Sequence, residues 1–538
     1  MTLIYLGLFV NSTKIPYQQT GYFSNLMVDY LNQKKELTPF YNQPVNIKSF
    51  EILIKERTNF PVDRAILVQA LENQYNGVAA TEKTLNNIQK LKQNNCFTVT
   101  TGHQLNLFTG PLYFIYKIIS AINLAKELKQ KYPEQDFVPV YWMATEDHDF
   151  DEVNHFNLFG NKVELEKTQE GAVGKMKLSG IDKVFTQLVE LLGNRLEAEK
   201  IISGFKKHYI AENTFAQATR GVVNALFGEY GLVVIDGDDK ALKQLMFNEF
   251  KDELLNHNNY KTINQTTEQL VSLGYKAQIT PREINLFYLQ DNLRERIVFE
   301  NDSYKVLNSS IQFSKAEILT ELEKFPERFS PNVALRPLYQ EKILPNLAYI
   351  GGGGELAYWF QLKDMFDKNQ TSFPLLVLRN SALIVDSGSK KKLDKIGISV
   401  NQLFGDTNLF INEFLKEGSA IVLDLKNEEK QISAVFDEMV KKAEVIDASL
   451  KPMISAELQK VLKSIQNIEA KLIKAEKQKE EVTINQIKNV KEKLFPNGYL
   501  QERHDNLALL LLLGGFEVID KLSPYLNPLE QEFIILEL

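Results

Sequence analysis

The chain has 538 residues, 44% of them hydrophobic and 24% charged, with a net charge of −7 at pH 7. This is the composition of a globular protein long enough to divide into more than one unit. The acidic balance gives no electrostatic reason for nucleic-acid binding, which needs a concentrated basic face. A single cysteine, Cys96, excludes an intrachain disulfide and fits a reducing cytoplasm. No apolar run is long enough to cross a bilayer: residues 3–10, without a basic segment before them, read as a strand, and residues 507–516 as a buried helix.

Residues 48–93 carry helical periodicity and lead to an apolar, β-rich run at 97–99. A polar turn with two glycines follows, and then Ile115, Ile118, Ile119 and Ile122 at helical spacing. Strand, loop and helix are therefore expected over residues 97–125, with the helix N-terminus offering N–H groups to an anion. A second strand at 138–144 completes a β-loop-α-β unit and ends in Glu146, Asp147, His148 and Asp149. Alternating residues at 156–180 and 276–312 predict two β-containing insertions, and 232–235 predicts a third sheet strand ending in acids. Four glycines at 351–354 sit between an apolar run and a helix, and a further strand at 374–378 ends in Arg379 and Asn380. Beyond 418, Leu458, Val461, Ile465, Ile468, Leu472 and Ala475 step by three and four, a coiled-coil seam within two long helices over 430–495 that turn near Pro452. A last apolar helix, starting near Leu500, is expected to return to the core. The domains read as 1–418, a Rossmann-type core with inserts at about 156–210 and 275–325, and 419–538, helical and coiled-coil.

Strand ends in an open α/β sheet converge on one crevice, so the candidate residues are those at the ends. The acids Glu146, Asp147 and Asp149, with His148, suit general acid–base work or an amine substrate. With a lone cysteine and no three-histidine set, no tightly bound metal is expected. His148 and His155 would share a face if they lay on one helix. From the first loop come Thr101, Gly102, His103, Gln104, Gly110 and Tyr113. The glycine turn supplies Gly351, Gly352 and Gly353, which allow close backbone approach, with Glu355 and Trp359 behind them. Arg336 and Gln340 are four apart. Lys390 and Lys391 lie in a basic loop opening a helix and could fold over a polyphosphate.

Five blocks, TGHQLNLFTGPLYFIYK, VPVYWMATEDHDFDEVNH, AYIGGGGELAYWFQLK, VLRNSALIVD and FPNGYLQER, resemble the signatures of the bacillithiol-biosynthesis family of cysteine-adding ligases, in order along the chain. The resemblance implies a Rossmann-type core similar to class I aminoacyl-tRNA synthetases and other nucleotidyl transferases, two connecting inserts, and a coiled coil through which chains form a homodimer. It implies attachment of L-cysteine to the amino group of glucosaminyl malate, with ATP or ADP as substrate or ligand. The loop at 101–104 would take the place of the synthetases' nucleotide signature, residues 390–392 that of their mobile lysine loop, and Gln501 and Arg503 lie in a second segment open to nucleotide. An adenylate-forming enzyme with another acceptor, or a non-catalytic coiled-coil assembly protein, are the alternative readings.

Overall fold

The computed structural model describes Phe9 and residues 11–418 and 424–538. Apart from Phe9, the strand expected at 3–10 lies outside the described residues, as does the boundary placed at 418/419. The first described strand is β1 (Asn11–Pro16). After five short α-helices and a 3-10 segment come β2 (Cys96–His103), the helix Tyr113–Lys131 and β3 (Asp136–Met143), the expected βαβ unit. The first insert begins as a hairpin of β4 (His155–Leu158) and β5 (Asn161–Glu164), continues in helices, and hands over to β6 (Val233–Asp236). The second insert holds β7 (Leu286–Gln290), β8 (Leu293–Glu300), β9 (Ser303–Val306) and β10 (Gln312–Phe313). After a helix, β11 (Phe329–Pro331) rejoins that sheet beside β7. The core resumes with β12 (Asn346–Gly351), β13 (Leu375–Leu378) and β14 (Ala382–Val385), and β15 (Glu532–Glu537) closes the described chain.

The central sheet is all parallel, in the order β13-β12-β2-β3-β6. Helices cover both faces, so its strands read as continuous apolar runs: every residue of β12 and β13 is buried, and all of β2 up to Gly102. The polar exceptions are satisfied internally, with Thr98 and Thr100 both donating to Asn346 Oδ1, at 3.1 and 2.8 Å. Cys96 starts β2 at the end of the sheet away from its carboxyl edge, and burial pushes its thiol up to about 12, the state of an inert packing residue.

The helices Lys426–Ile446 and Lys451–Lys479 form the long hairpin, and Pro452 sits in the first turn of the second, where its missing N–H costs nothing. The second helix stops at Glu480 instead of running on to 495, and a separate helix, Glu481–Leu494, buries Ile484, Ile487, Val490 and Leu494 back on the core. Of the seam, Ile465 is buried, while Ile468 and Leu472 remain 53% and 39% exposed within one chain. The expected last helix divides: Gln501–Arg503 is a single tight turn, and Ala508–Gly514 packs on the helix Leu196–Lys206. β15, absent from the sequence reading, lies between β1 and β14 in a separate three-stranded sheet.

Candidate active site

Taken in chain order, the strands of the central sheet stand 3-2-1-4-5, and the order reverses between β2 and β12. Side chains and backbone past the carboxyl ends of those two strands therefore splay apart and leave a crevice. The cavity found there has a volume of about 710 Å³ and is lined by both strand ends, by the acidic segment after β3 and by the second insert.

On the β2 side, the His103 ring stacks on Tyr113, centroids 5.2 Å apart, and its Nδ1 donates to the Gln104 carbonyl at 3.1 Å, leaving Nε2 without the proton. Burial, reinforced by the Lys117 charge, pushes its pKa down to about 3, so the imidazole is neutral. Gln104 Nε2 donates to both Asp147 Oδ2 (2.6 Å) and Glu152 Oε2 (2.8 Å), which ties the first loop to the acidic segment. Lys117 is a lone cation in an apolar helix face; its ammonium donates to the Gly102 carbonyl at 2.7 Å and pairs with Glu355 at 2.5 Å. On the β12 side, Glu355 also accepts from the Gly352 N–H at 2.8 Å and from the Tyr349 hydroxyl at 3.1 Å. One carboxylate thus holds together the glycine turn, the tyrosine of β12 and the lysine of the helix that follows β2. Gly102 suits this closeness, since a Cβ there would sit a tight 3.1 Å from the Tyr349 hydroxyl.

The acidic segment separates into distinct roles. Glu146 is turned inward to Lys243, 2.5 Å away and itself fully buried. Asp147 lines the cavity and accepts from the N–H groups of His148 and Asp149 as well as from Gln104. Asp149 is exposed and caps the short helix Phe150–Val153 by accepting from the Glu152 N–H, so its position is that of a helix cap rather than a cavity wall. His148 Nδ1 accepts from Arg294 at 2.6 Å; burial and the guanidinium lower its pKa, which leaves that nitrogen no room for a further proton. His155 lies on β4, so the two histidines share no helix face.

The opposite wall was not read from the sequence. Arg294 and Arg296 alternate on β8, two residues apart and so on one face, with Arg282 just before β7. The Arg294 guanidinium lies 3.9 Å from the centre of the Phe287 ring. With Arg336, Arg379, Arg503 and Lys117, seven cationic side chains line a cavity that has three acids, Glu146, Asp147 and Glu355. In a chain of net charge −7 the crevice is locally cationic, which concentrates an anionic ligand. The alternation of arginines in residues 294–296 was the signal available in the sequence.

Several predicted residues serve the frame instead. Thr101 is buried with its hydroxyl on the Ile350 carbonyl, Gly351 belongs to β12, and Gly353 packs beside Met27. Trp359 is buried and stacks on Tyr349 at 4.5 Å. Gln340 lies under Arg336 and accepts from its guanidinium at 2.9 Å, while Asn380 accepts from Ser120. Gln501 bonds the backbone of Ile384 on β14 and does not line the cavity. Residues 390–392 form no loop: they are the second turn of the helix Ser387–Ile396, where Lys390 pairs with Asp394, and neither Lys390 nor Lys391 reaches the crevice. At the N-terminus of Tyr113–Lys131 the cap N–H, at Leu112, donates to the Asp505 carbonyl, and those of Phe114 and Ile115 close turns onto Pro111 and Leu112. Phe108, Thr109 and Gly110 have positive φ in succession, a strained turn clamped by the Asn506 amide on the carbonyls of Phe108 and Gly110. Among the described residues no group of three or more histidine, cysteine or acidic side chains is arranged to hold a metal, and no helix is long and apolar enough to cross a membrane.

Fold and site together define a Rossmann-type protein with a cationic ligand crevice at its switch point and a helical, coiled-coil C-terminal region. The chain belongs to the bacillithiol biosynthesis BshC family: the profile of that family's N-terminal Rossmann-like domain matches residues 10–380, and that of its C-terminal coiled-coil domain residues 382–538. The profiles thus meet between β13 and β14. Similar proteins, each named as a candidate cysteine ligase, BshC, come from Flavobacterium psychrophilum (46% identical, covering 97% of this chain and 99% of that one) and Flavobacterium johnsoniae (45%, 97% and 99%). A third, from Christiangramia forsetii, is 44% identical over 97% of this chain and 98% of its own.

Proposed function

We propose that this chain is an ATP-consuming cysteine ligase that joins L-cysteine to the amino group of glucosaminyl malate, the last step of bacillithiol formation, in the cytoplasm. The observation that carries the reading is the cationic crevice with an acidic corner at the switch point, in a chain similar end to end to proteins named for cysteine ligation. The arginines and Lys117 are placed to hold the phosphates of ATP and the malate carboxylates.

The cysteine carboxyl is activated by transfer of a phosphoryl or adenylyl group from ATP. The sugar nitrogen then attacks the carboxyl carbon, the C–N bond forms, and the C–O bond to the phosphate breaks. Asp147 is the carboxylate placed to take the proton leaving the nitrogen, because Glu146 is held by Lys243 and His148 by Arg294. The homodimer is proposed through the hairpin, whose Val435, Met439, Ile468 and Leu472 are exposed in one chain.

The test is to incubate the purified chain with L-cysteine, glucosaminyl malate and ATP and to follow product by mass spectrometry alongside AMP or ADP release. Product is expected only with all three reactants, and Asp147→Asn should lower kcat by about 10² or more. No product from the complete mixture, or product from a different amine alone, overturns the assignment.

A further inference from the structure

A second chamber of about 370 Å³ opens beside the main crevice and shares Gln104, Tyr113 and Arg503 with it. Its own walls come from the first loop, from β4 and from His504. Its charge differs from that of the crevice: Arg503 faces one acid, Glu152, and the chamber holds no surplus of cations. A polyanion belongs next door.

Two groups point to what belongs here. Asn106 is 6% exposed, lines the chamber, and its Oδ1 has no protein partner. The contrast is Asn506, which clamps the turn at 108–110 from a distant segment and whose amide donates to two carbonyls and accepts from the Ala508 N–H. A buried amide oxygen left open beside a satisfied one is an acceptor waiting for a donor. Its seat is shaped for it: Gly110, at φ +59°, leaves space where a Cβ would fall 2.5 Å from the Asn106 Cβ. The second group is His504, whose Nδ1 lies 2.8 Å from Asp505 Oδ1 in a largely buried pair. The carboxylate holds the proton on Nδ1, and in the neutral imidazole Nε2 is then the acceptor. Two acceptors call for hydrogen-bond donors, and the adjacent Arg503 disfavours a cationic one. Hydroxyl groups meet both demands, and Phe156 and Tyr113 supply the aromatic surface against which the C–H face of a ring can lie.

We propose that this chamber is a sugar-ring subsite: Asn106 and His504 accept hydrogen bonds from ring hydroxyls, so that a hydroxylated ring sits here while its anionic substituents extend into the arginine-lined crevice. The assignment rests on the amino-sugar acceptor proposed above and adds where its ring is held.

The test titrates the full chain with methyl α-D-glucopyranoside, a neutral ring with no amine or carboxylate, and follows saturation-transfer NMR on the ring protons. Millimolar binding is expected, weakened tenfold or more in both Asn106→Leu and His504→Phe and unchanged in Lys55→Ala, an exposed position remote in function. The same two variants should raise KM for glucosaminyl malate and leave KM for L-cysteine alone. Absence of ring signals, or signals indifferent to both substitutions in variants that melt like the parent, overturns the subsite. If ring binding follows the prediction but no cysteinyl product forms, the ligase reading fails and the subsite stands. Because His504→Phe removes the second acceptor independently, a poorly folding Asn106→Leu does not remove the test.

Discussion

Two lysines are buried at the carboxyl edge of the central sheet, and their surroundings put them to different uses. Lys243 stands between two carboxylates, Glu146 at 2.5 Å and Asp238 at 2.8 Å, and donates a third bond to the Glu327 carbonyl at 3.0 Å. Burial opposes its charge, but the two acids outweigh it and its pKa is raised. Lys117 faces one carboxylate, Glu355, with Arg379 and Arg336 near enough to oppose it, and burial lowers its pKa. The first is a closed clamp across β3 and β6; the second is a one-to-one pair set among the further cationic side chains that line a cavity. Burial of an ion pair alone says little about function. The charge left over after pairing says more.

This comparison can be broken by exchanging methionine for each lysine. Lys117→Met is expected to lower kcat/KM by roughly 10²–10³, in line with removing a preorganised cationic donor from a site, as read by initial rates at varied ATP. Lys243→Met should instead strand the buried Glu146 carboxylate, leave Asp238 to Lys175 alone, and cost about 3–5 kcal/mol of stability in chemical denaturation, with kcat of the folded fraction near that of the parent. If Lys117→Met merely destabilises, the distinction is wrong.

A smaller effect concerns His103, whose depressed pKa also depends on Lys117. The folded chain refuses a proton that the unfolded chain accepts below about 6.5, so this contribution to stability is complete above that pH and is lost as pH falls toward about 3. His103→Gln should therefore flatten the fall of melting temperature between pH 6.5 and the acid limit, and parallel curves for the two proteins would refute it. The smallest change is expected from Asp149→Ala, which removes a cap worth about 0.5–2 kcal/mol and should leave kcat within about twofold, in contrast to its neighbour Asp147.

What was legible in the sequence was what local pattern determines. β2, β3, β6, β12 and β13 were visible as apolar runs ending in polar turns, and the crevice followed from their shared direction. His103, Gln104, Asp147, Glu355 and Arg379 were therefore named with their neighbours around the strand ends, and Arg336 for its spacing to Gln340; all six line the cavity. Which member of a cluster faces inward was not legible, because a one-residue step separates Asp147 from the exposed His148, and only tertiary contacts with Lys243 and Arg294 decide it. The arginine wall was missed because β8 belongs to an insert whose partner across the crevice is remote in sequence. The lysines at 390–392 misled for a simpler reason: Asp386, accepting from the Gly388 and Ser389 N–H groups, caps a helix there and so removes the loop.

The position of β15 bears on how the chain is made. Its residues pair with β1 on one side and β14 on the other, and Asn11 meets Glu537 across 526 positions. During synthesis β1 is finished first and β14 long afterwards, yet neither gains its partner until residues 532–537 emerge. Throughout that interval the nascent chain presents two unpaired strand edges. The three-stranded sheet is consequently assembled late, and the ribosome-bound intermediate is the stage at which a holdase chaperone has most to protect.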